Sequence, residues 1–263
     1  MSGAAPDQAL AEALDALGAT VRTGGTVLVA LDFDGVLSPL QDDPTACRIH
    51  EGSRTALERL GAVPTVQVAL VSGRSLADLD SRAEVPDGTF LVGSHGAEHG
   101  HRVDGALARD ALVVPPEASG LLDALRTALA AAVSGTTARL EHKPTSVVLH
   151  TRGSDPTEAR RLTDHALGLG ARDGVDAMRG KDVVELSVLK VTKGDALALL
   201  RERVGAQGLL YAGDDVTDER AFATLGPEDV TVKVGPGATA ARFRVQDPDA
   251  VAVLLAHLAD ATS

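Results

Sequence analysis

Short apolar runs alternate with longer amphipathic stretches along most of this 263-residue chain, and that alternation limits the possible folds more than any other feature. A run such as Val27-Leu28-Val29-Ala30-Leu31 has no polar face, so as a strand it must be covered on both sides. A mainly parallel sheet with helices on both faces meets that requirement. Strands are expected at Val27–Leu31, Val66–Val71, Phe90–Val92, Gly208–Ala212 and Val230–Val234. Helices are expected near 8–18, 53–61, 75–82, 195–203 and 248–259, with a further one starting after a Thr217 cap and Pro248 in a first turn. The fold class is therefore α/β.

Residues 114–187 break the alternation. Pro115-Pro116 opens the stretch, an Ala/Leu-rich helix is expected from about 118 to 133, and strand patterns follow at 138–141 and 146–151. A second helix from Pro156 to about 168 and strands near 175–179 and 183–187 complete an αββαββ order. This order suits an inserted antiparallel α+β domain. The expected boundaries are a core of 1–113 with 188–263 and an insert of 114–187, joined by linkers near 104–114 and 187–192. Charge follows the same division: the insert holds 9 Lys+Arg against 10 Asp+Glu, or −1, leaving 16 against 27, or −11, for the core.

The whole chain carries 25 basic and 37 acidic residues, a formal charge of −12, which disfavours nucleic acid and anionic membrane surfaces as partners. Four Phe, one Tyr and no Trp leave little to stack on single-stranded bases. One cysteine, Cys47, makes no internal disulfide and fits a reducing compartment. No apolar run approaches the ~20 residues of a membrane helix, and the first residues lack the pattern of a secretion signal. A soluble, cytoplasmic, monomeric protein is expected. Of the basic residues only five are Lys (Lys143, Lys181, Lys190, Lys193 and Lys233), against 20 Arg, so each lysine invites a question.

Four patterns carry chemistry. The first strand runs into Asp32-Phe33-Asp34-Gly35, placing two carboxylates where open α/β sheets bind ligands, with alternation sending both to one side. A calcium loop would follow a helix and need further oxygen ligands at set intervals, both missing here; an ordinary acidic turn remains the plain alternative. The second strand ends in Ser72-Gly73-Arg74, where a hydroxyl and backbone N–H groups can meet an anion, or where Ser is simply a helix cap. Lys193-Gly194 opens a helix, the wrong end for a cation unless an anion lies beside it; a solvated lysine is the alternative. Gly213-Asp214-Asp215-Val216-Thr217-Asp218-Glu219 crowds four carboxylates after the fourth apolar strand. With no His or Cys among them they suit a hard ion, Mg2+ rather than Zn2+, although Asp218 and Glu219 are also ordinary first-turn acids.

Taken together in this order, the four patterns resemble those of the haloacid dehalogenase-like phosphohydrolases, over essentially the whole chain. The resemblance implies a Rossmann-like core with a cap domain. It makes Asp32 the nucleophile and Asp34 the general acid/base, with phosphate held by Ser72, Gly73 and Lys193. Mg2+ ligation is implied for Asp32, the Asp34 main-chain carbonyl and Asp214, with Asp215 and Asp218 as further candidates. Aspartate rather than threonine at the second position marks phosphatases and mutases of that group. Three stretches are similar, more narrowly, to the trehalose-6-phosphate phosphatases: DFDGVLSPL at 32–40, GDDVTDE at 213–219, and in the insert EHK at 141–143, HTR at 150–152 and Gly180-Lys181 with Glu185. That likeness implies that Glu141, Lys143 and Glu185 hold sugar hydroxyls, supported by Arg152 and Lys181, in a small-molecule sugar phosphate. Glu–Lys combinations supply the paired acceptors and donors a sugar needs; solvated cross-strand ion pairs are the alternative.

Val36 stands where that family often has Thr. Competing expectations are a phosphatase for another sugar phosphate (sucrose 6-phosphate, mannosyl-phosphoglycerate, glucosylglycerol phosphate), a sugar phosphomutase, and a non-catalytic sugar-phosphate binding or phospho-acceptor module, against which Asp34 speaks. No G-x-G-x-x-G follows the first strand, so dinucleotide binding is not expected. His95, His99 and His101 fall on a stretch broken by Gly96 and Gly100 and are expected in a core loop facing the cap rather than on zinc. Closure of the cap over the core on substrate binding is expected.

Overall fold

The structure is a computed structural model and describes residues 6–263. It separates into two compact units, Met1–Ala111 with Val191–Ser263, and Leu112–Lys190. In the first unit β1 (Val27–Leu31), β2 (Val66–Val71), β3 (Phe90–Gly93), β4 (Glu98–Val103), β5 (Ala106–Arg109), β10 (Gly208–Gly213), β11 (Val230–Val234) and β12 (Phe243–Val245) form an eight-stranded sheet. Its order is β12-β11-β10-β1-β2-β3-β4-β5, with only β4 and β5 antiparallel to their neighbours. The chain leaves β1 toward β2 and β3 and later returns on the other side through β10 and β11. The carboxyl ends of β1 and β10 are thus a topological switch point, where such sheets open a crevice.

Strand alternation divides the core into two layers. Val27, Val29 and Leu31 of β1 join Leu210 and Ala212 of β10 against α1 (Gln8–Arg22), α2 (Glu51–Gly61) and α8 (Pro248–Ala261). Leu28 and Ala30, with Leu209 and Tyr211, face the opposite way and pack with Leu197 and Leu200 of α6 (Lys193–Val204) and Phe222 of α7 (Val216–Phe222). The next residue of β1's pattern, Asp32, therefore emerges on the α6 side. α6 starts in a capping box of Thr192 with Asp195 and stops at Gly205, whose φ of 63° suits the left-handed cap. α3 (Leu76–Arg82) follows β2.

The second unit is a four-stranded antiparallel sheet of order β6-β7-β9-β8, made of β6 (Arg139–His142), β7 (Ser146–His150), β8 (Asp176–Gly180) and β9 (Val183–Ser187). One face buries Val147, Leu149, Val184 and Leu186 under Leu122, Leu125 and Leu129 of α4 (Pro116–Val133) and Leu162 and Ala166 of α5 (Pro156–Gly170). On the other face the register aligns Glu141, Val148, Glu185 and Met178 in one row across all four strands.

Several elements differ from expectation. β4, β5 and β12 were not expected, and β5 occupies part of the stretch read as a linker near 104–114. β4, Glu-His-Gly-His-Arg-Val, hides its alternation behind polar residues, although Glu98 and Gly100 are buried while His99 and His101 are less so. The two-residue turn Asp104-Gly105, with φ of 50° and 74°, joins β4 to β5 and is a recognisable hairpin signal. α7 starts at Val216 with Asp215 as its cap, so Thr217 lies inside the helix rather than capping it. Among the described residues no helix is long and apolar enough to cross a membrane.

Candidate active site

In the first unit, residues that follow β1 and β10 meet the first residue of α6. Asp32 is buried immediately after β1; its Oδ1 accepts from the Phe33 N–H at 2.6 Å and its Oδ2 lies 2.8 Å from the Lys193 ammonium. Lys193 is only 1% exposed and is also 2.8 Å from Asp218 Oδ1. The lysine at a helix N-terminus is thus explained: two carboxylates outweigh the unfavourable dipole. Burial pushes the Asp32 carboxyl well above its usual range; Lys193 opposes this, while Asp218 and Asp215 add to it. Lys193 loses by burial but gains more from Asp32, Asp218 and Asp215, so it holds its proton more tightly than a free lysine.

The β10–α7 turn supplies the other acids. Asp215 caps α7, its Oδ1 accepting from Thr217 N, Thr217 Oγ1 and Asp218 N at 2.7, 2.7 and 3.0 Å. Against a desolvation that would raise it, Lys193 and these Thr217 and Asp218 bonds bring its pKa to about 2. Asp214 is pushed up to about 7 by burial and by the charges of Asp218 and Asp215. Its carboxylate lies against Gly35, where a Cβ would stand 2.3 Å from Asp214 Oδ2 and where φ is +77°. Lys233, nearly buried at the end of β11, donates to the Asp214 carbonyl.

The residues present fit a hard divalent cation. One carboxylate oxygen from each of Asp32, Asp215 and Asp218 falls within 4.8 Å of the others, and no softer ligand accompanies them. Asp218 is a poor direct ligand, however: its oxygens already accept from Lys193 Nζ, Tyr211 Oη, Asp214 N and Asp215 N, about as many bonds as a carboxylate can take.

Asp34 does not share Asp32's surroundings. β1 ends at Leu31, so strand alternation no longer governs the turn that follows. Both Asp34 oxygens accept from the Arg74 fork, Nε and Nη2, each at 2.7 Å. Arg74 also bonds Asp78 at 2.6 Å and the Pro44 carbonyl at 3.0 Å, and it stacks over the Phe33 ring. Ser72 is buried, its Oγ accepting from Arg74 N at 3.2 Å. Gly73 packs closely: a Cβ there would meet the His95 ring at 2.4 Å, so a larger residue would have to move that ring. His95 follows Ser94 in the left-handed region, φ 57° and 49°, which residues other than glycine adopt infrequently. His99 bonds the Gly96 carbonyl at 2.8 Å and His101 lies beside Phe90.

In the second unit the residues expected to meet a sugar form two groups. Lys143 is buried and lies 3.0 Å from Glu185 Oε2, while Ser146 Oγ donates to Glu185 Oε1 at 2.6 Å. Glu141 is exposed and paired with His150 at 2.9 Å, which lowers its pKa. Arg152 in the turn after β7 and Lys181 in the β8–β9 turn are exposed. Sequence reading missed Arg74, Tyr211, Lys233 and Ser146. The triplet Ser72-Gly73-Arg74 signalled the first, and the scarcity of lysine could have signalled Lys233.

A model of the trehalose-phosphatase family matches residues 30–249. The chain is 33% identical to the trehalose-phosphate phosphatase of Mycobacterium ulcerans (strain Agy99), over 98% of this chain and 69% of that one. It is 36% identical to the trehalose-phosphate phosphatase of Mycobacterium avium (strain 104), over 92% of this chain and 64% of that one. The C-terminal domain of the C. albicans trehalose-6-phosphate phosphatase shares the fold, with a TM-score of 0.76 at 21% identity and 99% coverage of both chains. With these matches added to the Asp32–Lys193–Asp218 array at the switch point of the sheet, the chain belongs to the trehalose-phosphatase family of the haloacid dehalogenase-like superfamily and is a phosphatase.

Proposed function

We propose that the protein hydrolyses trehalose 6-phosphate to trehalose and phosphate through an aspartyl-phosphate on Asp32, with Mg2+ as cofactor. The observation that carries this reading is the buried Asp32 carboxylate, held by the Phe33 N–H and the Lys193 ammonium at the carboxyl end of β1. It is accessible to a phosphoryl group only if that group's charge is matched. Asp32, Asp214 and the Asp34 main-chain carbonyl would hold Mg2+, with the second oxygen of Asp215 available to it or to its waters. When bound, the ion neutralises the phosphate oxygens and the nucleophile, so that two anions can meet.

An Asp32 oxygen attacks phosphorus as the bond from phosphorus to the sugar oxygen breaks. Ser72, the Gly73 N–H and Lys193 hold the phosphoryl oxygens. Asp34 donates its proton to the departing sugar oxygen, then takes one from the water that attacks the aspartyl-phosphate; phosphate leaves and Asp32 is restored. Both Asp34 oxygens are taken up by the Arg74 fork, so one of these bonds has to open before Asp34 can hand a proton to the sugar oxygen. The insert is the specificity unit: Glu141, Lys143 and Glu185 bind the sugar hydroxyls, with Arg152 and Lys181 in support.

Phosphate release from trehalose 6-phosphate, sucrose 6-phosphate and mannosyl-phosphoglycerate, with and without Mg2+, tests the reading. Preferred hydrolysis of the first, dependent on Mg2+, is expected. Preference for either of the others overturns the substrate, and full activity in chelator overturns the cofactor.

A further inference from the structure

Tyr211 is the only tyrosine of a chain that has no tryptophan, and it is completely buried beneath the phosphoryl-transfer site. Its ring is fixed by the α6-side core layer, with the Phe222 ring 5.6 Å away and Leu197 and Leu200 in the same cluster. Strand alternation places Tyr211 and Gly213 on the same side of β10 as each other. The phenol reaches Asp218 Oδ1 at 2.5 Å, the short end of the range for a hydroxyl donating to a carboxylate. Gly213 leaves the space: a Cβ there would stand 2.3 Å from the Asp218 side chain.

Asp218 is the hub of this arrangement. It is 0% exposed and accepts from Tyr211 and Lys193 on Oδ1 and from the N–H groups of Asp214 and Asp215 on Oδ2. The carboxylate therefore ties a rigid strand residue to the metal-side turn and to the lysine that touches the nucleophile. Lys193 has two carboxylates to choose between, each at 2.8 Å. Anything that weakens Asp218's hold shifts the ammonium toward Asp32, pairing the nucleophile more tightly and making it a poorer one.

We propose that Tyr211 is a positioning residue of the reaction: its hydroxyl fixes Asp218 in the orientation that keeps Lys193 shared between Asp218 and Asp32. It touches neither substrate nor the reacting atoms. The proposal rests on the assignment of Asp32 as nucleophile. Its alternative is a phenol that merely satisfies its own hydrogen bond in the core.

Because no other tyrosine or tryptophan is present, the near-ultraviolet absorbance and emission of the native protein come from Tyr211 almost alone. Lys193→Met in metal-free protein must shift that spectrum, since the phenol's acceptor changes its surroundings. Adding Mg2+ with BeF3− to wild type must shift it too. Tyr211→Phe, which keeps the ring and removes only the hydroxyl, must lower kcat about tenfold with KM within twofold, in protein whose circular dichroism matches wild type. Wild-type kcat in Tyr211→Phe overturns the proposal, as does a tyrosine spectrum indifferent to both Lys193→Met and Mg2+ with BeF3−. If Tyr211→Phe fails to fold, the two spectral comparisons decide alone. Failure of the nucleophile assignment shows separately, as retained turnover in Asp32→Asn.

Discussion

Lys193→Met replaces a buried ammonium by an apolar side chain of similar length, and its cost can be worked from the two ion pairs. Each is 2.8 Å long, so at an effective dielectric of about 20 each gross attraction is about 6 kcal/mol. Desolvation of the three groups cancels most of that, and breaking a buried pair by removing one partner costs about 3–5 kcal/mol. The sign of the pH dependence follows from Asp32. Its folded pKa is already raised by burial, and removing Lys193 raises it further, so the folded variant binds a proton that the unfolded chain has lost. Its stability therefore falls as pH rises above the unfolded carboxyl value of about 4, and its deficit against wild type widens as pH rises through the wild type's own raised Asp32 carboxyl. Lys193 itself, raised in the folded protein, withdraws its contribution only above its unfolded pKa of about 10.4. Urea unfolding of metal-free wild type and variant at pH 5, 6, 7 and 8 measures this, and kcat should fall on the order of 10²–10³ as for loss of one transition-state donor. A variant within about 1 kcal/mol of wild type at pH 8, with no recovery on acidification, would refute the claim that Lys193 neutralises this cluster.

Gly35→Ala should lower kcat on the order of 10², because it adds a left-handed alanine and pushes on Asp214 Oδ2; normal kinetics would show that the turn can yield. Mg2+ affinity should rise by up to tenfold per pH unit below the Asp214 pKa of about 7 and level off above it, since the metal displaces a proton; isothermal titration giving a flat profile from pH 5.5 to 8 would contradict this. Lys143→Ala removes a buried partner of Glu185 and should raise KM for the sugar phosphate about 10–100-fold, while leaving p-nitrophenyl phosphate turnover unchanged; equal losses on both would remove Lys143 from sugar binding. Arg74→Lys and Lys193→Arg should each fail to restore wild-type kcat despite keeping the charge; wild-type rates in either would show that charge alone suffices.

How far the sequence revealed the molecule depends on whether a residue's role is local. The apolar runs Val27–Leu31 and Val66–Val71 gave up their boundaries because a strand covered on both faces has no alternative pattern. β4 did not, because its pairing with β3 is long-range and its residues are polar. The site's chemistry was legible where a residue type is unusual in place, as with Lys193 at a helix start. Arg74, Tyr211 and Lys233 were not, because what makes them part of the site is where they end up: Arg74 is 40 positions from Asp34 and Lys233 is 19 from Asp214. Asp218 is the most instructive of the acids. Its spacing suggested a metal ligand or a first-turn acid, yet its four accepted bonds make it the joint between strand, turn and lysine.

The division of labour between arginine and lysine also has a physical basis. Most of the chain's cations are arginines, but the two placed beside the acidic turn are Lys193 and Lys233, 1% and 5% exposed. A compact ammonium can stand between two carboxylates at 2.8 Å from each, directing single protons along diverging lines. A planar guanidinium pairs best with one carboxylate edge-on, and that is the geometry at Arg74 and Asp34. In the proposed roles, Asp32 as nucleophile keeps a cation it can share with an arriving phosphoryl group, whereas Asp34 as acid/base is held by one that must be displaced before it can act. On that proposal a core with an excess of 11 acids can receive a phosphate dianion, because its buried lysines are concentrated beside the acidic turn.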